Sequence, residues 1–375
     1  MKSTNGVERV LSQRLSLLAE SGLYEVYLIT YNQYGAPYSF PISDKVHCID
    51  LATRYIERCS YYGLYQYWDR FVSKLKYKRS LRECLLNICP DVITCVDIHF
   101  VDLHIVLNID VDAVKVVECH CGLSAYFADL KKIRNPYKRY RLRILKDKII
   151  RAISRFDRII VMTKGEKSEW DLGDKVVFIP NMLSFYPDNV PVSRHAHHRI
   201  ISVGRYAYQK GYDMLIEAWK IVQDKYPDWS LHIYGSHDGD MGDYNQLKTT
   251  INNSQIQNVF LYPATNDVYS EYAKSDLYVM SSRFESFGLV LIEAMSCGLP
   301  IISFDCHFGP RSIIVDGETG ILVPPSDVKK LAESICFMIE HPDERMRMGG
   351  NARTEVAKYK PERIISIWKQ FYQSL

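Results

Sequence analysis

The sequence predicts an α/β protein made of two doubly wound parallel-sheet domains. Three observations carry this. In the second half, short apolar runs alternate with segments of helical period, the pattern of a parallel sheet covered on both faces. The chain has 375 residues, 47% hydrophobic and 24% charged. That composition is ordinary for a globular protein, and the length fits two domains at roughly 100–200 residues each. Finally, IPNMLSFYPDNVPVSRHAHH (179–198) has three prolines, little periodicity and a polar end, which reads as a linker. The implied division is a domain over 1–180, a linker over 181–198, a domain over 199–360 and a last amphipathic helix within 361–375.

In the first domain the expected strands are Val26–Thr30, Val92–Val96, Val116–Cys119, Arg158–Met162 and Val176–Ile179. Helices are expected over 7–21, 52–59, 64–87 and 136–154. The second domain reads more clearly. Its strands are Arg199–Val203, Ser230–Tyr234, Asn258–Leu261, Leu277–Met280, Pro300–Phe304 and Ile321–Val323. Between and after them, helices are expected over 211–225, 243–252, 267–274, 288–297, 309–315, 326–340 and 343–358. In the first of these, Met214, Leu215, Ala218, Trp219 and Val222 recur at helical spacing. Sheets of this kind bind ligands at the carboxyl ends of their strands.

Several classes are excluded. No run approaches the 18 or so apolar residues of a spanning helix. MKSTNGVERV has no apolar core of a signal peptide, so a cytoplasmic location is expected. The ten cysteines form no C-x-x-C pair and read as free thiols. Cys119-His120-Cys121 is too tight to supply three metal ligands. The net charge of +3 conceals a basic stretch, KKIRNPYKRYRLRILKDKIIRAISR (131–155), with eleven cations and one acid. No nucleic-acid motif accompanies it, and cations interleaved with tyrosines and aliphatics suit an anionic membrane surface.

Two segments can carry chemistry. In SVGRYAYQKG (202–211) a strand ends, Gly204 turns the chain, and Arg205 and Lys210 follow. Both cations then stand at the carboxyl edge of a sheet, where they can neutralise a diphosphate. In SSRFESFGLVLIEAMSCGLP (281–300) the helix after Gly288 is apolar on nearly every side, with Glu293 as its one charge. A buried carboxylate needs a partner or a cleft. Glu285 lies in the turn before, and the helix start between the two acids is an anion site. Glu293 stands roughly 7–8 Å along the axis past Gly288, at about 1.5 Å per residue. That span suits a nucleoside diphosphate sugar.

These motifs resemble the retaining glycosyltransferases of family 4. The resemblance runs through VGR…KG (203–211), the Glu-x7-Glu pair Glu285 and Glu293, and GPRSIIVDGETGILV (309–323). It implies the GT-B fold, two Rossmann-like domains facing a cleft, with the last helix crossing back to the first domain. It also implies transfer of a sugar from a nucleotide sugar, most often UDP-linked, to a glycan or polyprenyl-linked acceptor in surface polysaccharide synthesis. By that resemblance Arg205 and Lys210 hold the diphosphate, and Glu293 takes the ribose hydroxyls. Glu285 contacts the donor sugar. The backbone around Ser286, Phe287, Gly288 and Leu289 helps bind phosphate, and Tyr262, Ala264 and Thr265 fall where the base is read. His120 corresponds to a histidine facing the donor sugar, and NGVER (5–9), with Asn5 and Gly6, to a Gly-rich loop on the acceptor side. That loop normally follows a first strand, but only Met1–Thr4 precede it here, so either the start is misplaced or the first sheet lacks its central strand.

No cofactor and no metal are expected, since Arg205 and Lys210 already supply positive charge. Other readings remain: a sugar-nucleotide epimerase of the same fold, an inactive nucleotide- or membrane-binding relative, and a metal-dependent transferase. The last would use Asp110 and Asp112, which follow a strand-like LHIVLNI, or Asp238 and Asp240.

Overall fold

The computed structural model describes residues 6–53, 64–96, 103–120, 135–170, 172–188, 190, 197–237 and 241–375. The elements of the first half are α1 (Gly6–Glu20), β1 (Val26–Thr30), β2 (Val46–Asp50), α2 (Leu64–Ile88), β3 (Val92–Val96), α3 (Leu103–Leu107), β4 (Val114–Cys119), α4 (Pro136–Ile153), β5 (Arg158–Val161), α5 (Lys164–Glu169) and β6 (Val176–Phe178). Those of the second half are β7 (Arg199–Val203), α6 (Tyr212–Lys225), β8 (Ser230–Gly235), α7 (Gly242–Asn253), β9 (Val259–Pro263), α8 (Val268–Ala273), β10 (Leu277–Met280), α9 (Leu289–Ser296), β11 (Ile301–Phe304), α10 (Gly309–Ile313), β12 (Gly320–Val323), α11 (Val328–Glu340), α12 (Pro342–Val356) and α13 (Pro361–Gln373).

The second half is one parallel sheet in the order β12-β11-β10-β7-β8-β9. Every residue of β10 and β11 is buried, in keeping with sequences that are apolar but for Ser303. From β7 the chain winds outward through β8 and β9. It then returns to β10 on the other side of β7 and winds away through β11 and β12. The order therefore reverses between β7 and β10, and the carboxyl ends of those two strands open a crevice.

The first half is also parallel, but its described strands form two sheets, β1-β2 and β3-β4-β5-β6. Ile29 and Tyr31 nevertheless share one apolar cluster with Ile93 and Cys95 of β3. Helix α13 packs beside both sheets. Its Tyr372 hydroxyl lies 3.5 Å from Thr94 of β3. The Tyr372 ring also lies 5.9 Å from Tyr24, just ahead of β1.

The structure departs from the sequence reading in four places. LHIVLNI is not a strand: Leu103–Leu107 is a short helix burying Leu103, Ile105 and Val106. Its β-branched and aliphatic run has no period long enough to separate the two states. Ala52 has φ +46 and Thr53 is not helical, so no helix begins at 52, and 54–59 lie outside the described residues. Strand β2 was not expected because only Val46 of VHCID is buried. Likewise, nothing apolar marks α5, whose signature is the capping box of Thr163 and Glu166.

Candidate active site

Gly204 ends β7 at a point of close approach. A Cβ there would lie 2.9 Å from Cε of Lys210 and 3.0 Å from the Tyr212 hydroxyl. The chain then makes a tight turn through Tyr208–Lys210, and Gly211, at φ +63, starts α6. A Cβ on Gly211 would sit 2.1 Å from the Ser281 carbonyl oxygen, so the turn is pressed against the end of β10. Ser281 returns the contact, its hydroxyl donating to the Lys210 carbonyl at 2.9 Å.

This packing brings Lys210 to Glu285. The ammonium donates to Oε1 at 2.5 Å, with the two side chains 14% and 9% exposed. The same oxygen accepts from the Ser282 hydroxyl at 2.8 Å. Two expected site residues, 75 positions apart, thus meet at the crevice between β7 and β10. Arg205 stands at the same strand end, exposed, and donates to Gln209 at 3.3 Å.

The turn from Glu285 to Leu289 feeds α9. Gly288 caps the helix at φ +92, a conformation that favours glycine. Phe287 does not face the crevice. Its side chain is buried edge-on against Tyr359, at 5.5 Å, so it can serve a ligand only through its backbone. Ser286 and Leu289 are half-buried. Gly6, at the start of α1, lies under Leu289, whose Cδ1 would be 2.6 Å from a Cβ there. Asn5 lies outside the described residues.

Glu293 is buried one turn into α9 and has two partners from elsewhere in the chain. Arg9 of α1 donates at 2.9 Å, and Ser184 donates at 2.7 Å. Burial pushes its carboxyl pKa upward, with Arg9 and Ser184 acting against that rise. Tyr262, on the edge strand β9, stacks on Tyr234 at 4.6 Å, and its carbonyl accepts from the Tyr206 hydroxyl at 2.8 Å. Ala264 is exposed beyond it and Thr265 is half-buried.

His120 follows β4 at the carboxyl edge of the first-half sheet. It sits 3.0 Å from Glu118, two positions back on the same strand face. Glu118 is fully buried. Burial alone would raise its pKa, but the Arg14 guanidinium and His120 override this and hold it at about 2. An ionised Glu118 accepts only, so the proton shared with His120 sits on Nε2 and leaves Nδ1 for other partners. Arg14 binds both oxygens of Glu118 and lies 4.0 Å above the ring of Trp368 in α13. The sequence reading missed Arg14, Glu118 and Ser184, and it included Arg9 only as the end of NGVER, without a role. The only local signal was the i, i+2 spacing of Glu118 and His120.

Asp110 and Asp112 lie in the turn before β4, at the edge opposite His120. Six strand residues separate the two ends, roughly 20 Å at ~3.3 Å each. Among the described residues, no cluster of three His, Cys, Asp or Glu could hold a metal. Asp238 and Asp240 fall outside them.

The profile of the family described as "Glycosyl transferases group 1" matches residues 189–355. An uncharacterized glycosyltransferase of Haemophilus influenzae is 32% identical over 222 residues, 58% of this chain and 62% of that protein. One of Methanocaldococcus jannaschii is 30% identical over 284 residues, 63% of this chain and 69% of that protein. The alignments with two further curated relatives span only 26% and 23% of their lengths. Among solved structures, the sucrose-phosphate synthase of Thermosynechococcus elongatus superposes with a TM-score of 0.80 at 21% identity. That superposition covers 100% of this chain and 94% of the synthase. The chain belongs to the group 1 glycosyl transferases and has the GT-B fold.

Proposed function

We propose that the protein transfers a sugar from a nucleotide sugar, UDP-linked, to a glycan or lipid-linked acceptor in surface polysaccharide synthesis, retaining the anomeric configuration. The observation that carries this is the convergence of Lys210, Glu285 and the start of α9 at the switch point between β7 and β10. Names among the similar proteins support it, including an amylovoran biosynthesis glycosyltransferase and a poly(glycerol-phosphate) alpha-glucosyltransferase. A structural neighbour from Anabaena is described in complex with UDP and glucose.

In this reading Arg205, Lys210 and the N–H groups at Gly288 and Leu289 take the diphosphate. Glu293 takes the ribose hydroxyls, the Tyr262–Thr265 backbone takes the base, and Glu285 takes the donor sugar. His120 faces that sugar from the other domain, and Gly6 lies on the acceptor side. The division at 181–198 sets the two domains against each other across the cleft. The acceptor hydroxyl oxygen bonds to the anomeric carbon on the face from which the phosphate departs. The bond from that carbon to the β-phosphate oxygen breaks, and the hydroxyl proton passes to the departing phosphate. Negative charge grows on the phosphate oxygens, and preorganised cations stabilise it most there. Lys210 reaches the phosphate by exchanging its partner Glu285 for it, which frees Glu285 for a sugar hydroxyl.

The protein would work at the inner face of the membrane, with the basic stretch 131–155 toward anionic lipid. A panel of UDP- and GDP-sugars, assayed for nucleotide release with membrane extract as acceptor, tests the reading. Release with none of them, or epimer formation without acceptor, would overturn it.

A further inference from the structure

Helix α2 carries an exposed apolar stripe that belongs to no core. Trp68, Phe71, Val72 and Leu75, spaced i, i+3, i+4, i+7, are all exposed, Trp68 at 68%. The rest of the helix packs normally, with Tyr77, Leu81 and Leu85 buried against Ile105, Val106 and Ile109. Helix α4 repeats the arrangement. Tyr137, Tyr140, Ile144 and Leu145 are exposed on its first three turns, while Ile149 and Ile153 are buried with Leu103. So each helix is half core and half apolar overhang.

The two overhangs point the same way. Each helix precedes a strand of one parallel sheet and runs antiparallel to it, so its first turns rise toward the carboxyl edge, where His120 lies. Both helices also flank α3. Lys74 of α2 lies 2.8 Å from His104, and Leu103 packs on α4. The charge of both is one-sided. Helix α2 has six cations against two acids and α4 seven against one, a joint +10 in a chain of net +3. Two such faces repel each other, which disfavours a second copy as the occupant. Tryptophan and tyrosine beside lysine and arginine suit the boundary between lipid headgroups and acyl chains.

We propose that the first turns of α2 and α4 form a two-pronged surface that seats the acceptor edge of the first domain on an anionic phospholipid bilayer. This deepens the acceptor side of the proposed function and rests on that reading for its purpose. It adds α2, which the basic stretch 131–155 does not contain.

Trp68 makes the test direct, because the other tryptophans, 170, 219, 229 and 368, are all buried. Full-length protein is titrated with phosphatidylcholine vesicles, with or without phosphatidylglycerol. Binding is followed by sedimentation and by intrinsic fluorescence. A blue shift and sedimentation with the anionic vesicles alone, weakened by salt, are expected. Trp68→Phe should sediment without the shift. Phe71→Ser with Leu75→Ser, and Tyr137→Ser with Tyr140→Ser, should each weaken binding about tenfold or more. No binding to anionic vesicles, equal binding to neutral ones, or undiminished binding by both double variants would overturn the proposal. So would a dimer in light scattering that the same substitutions dissolve. UDP uptake is measured by calorimetry on the same protein. Uptake without vesicle binding defeats the surface alone; vesicle binding without uptake supports the surface and defeats the donor reading.

Discussion

Arg14 and Glu118 meet through two nitrogens and two oxygens, at 2.8 and 2.5 Å, with both side chains almost wholly inside the protein. The pair joins α1 to β4 across 104 positions, and His120 rests on its carboxylate. Breaking it from one side leaves a buried charge uncompensated. Glu118→Gln should therefore destabilise the protein by about 3–5 kcal/mol, whereas replacing both members with apolar residues of similar volume recovers most of the loss. Urea unfolding of the single and double variants checks this. Equal losses in both would contradict it.

The pair also sets an acid limit. The folded pKa of Glu118, about 2, lies below its ordinary 4.5. Its contribution is thus fully present above the unfolded value and is lost as pH falls from about 4.5 toward 2. The linked stability is on the order of 3 kcal/mol. Unfolding free energy followed down through that window should fall more steeply in wild type than in Glu118→Gln. Parallel curves would show that other carboxylates govern acid unfolding.

Lys210 should matter to turnover beyond its effect on folding. In the proposed mechanism Lys210→Ala removes a cation that meets the departing phosphate, and it should lower the rate by several hundredfold, about 3–4 kcal/mol by analogy with losing an oxyanion donor. Arg205→Ala, which alters an exposed side chain, should lose activity with its melting temperature unchanged. Near-normal nucleotide release in either variant would remove these residues from the mechanism.

The proposed function has Glu293 trade stability for a ligand. Burial disfavours its charged form even with Arg9 and Ser184 in place. Glu293→Gln should leave stability within about 1 kcal/mol of wild type or raise it, because a desolvated charge disappears. UDP affinity should fall at the same time. Calorimetry showing unchanged UDP affinity would make the residue structural.

Gly211→Ala probes the turn itself. With φ +63 and the Ser281 carbonyl oxygen 2.1 Å from an added Cβ, the substitution must shift Lys210 or the end of β10. Loss of UDP binding together with a lowered melting temperature is expected. An Ala variant that binds normally would show that the turn has slack.

The second half of the chain was readable because its signals are local. The limits of β7 and β10 follow from buried runs with polar ends, Arg205 and Lys210 lie within one turn, and Glu285 and Glu293 belong to one helix start. The first half was less so. Only Val46 of β2 is buried, and α3 spells a strand in five residues. The Arg14–Glu118 and Arg9–Glu293 pairs join positions 104 and 284 apart, a separation no sequence period reaches.

Helix α13 touches Arg14, Thr94 and Tyr24 through Trp368 and Tyr372. The packing around Arg14, Thr94 and Tyr24 is therefore completed only once α13 is made. During synthesis, the guanidinium of Arg14 waits without its aromatic roof until α13 leaves the ribosome. A nascent chain halted before α13 would leave that aromatic contact unmade and be a ready target for chaperones.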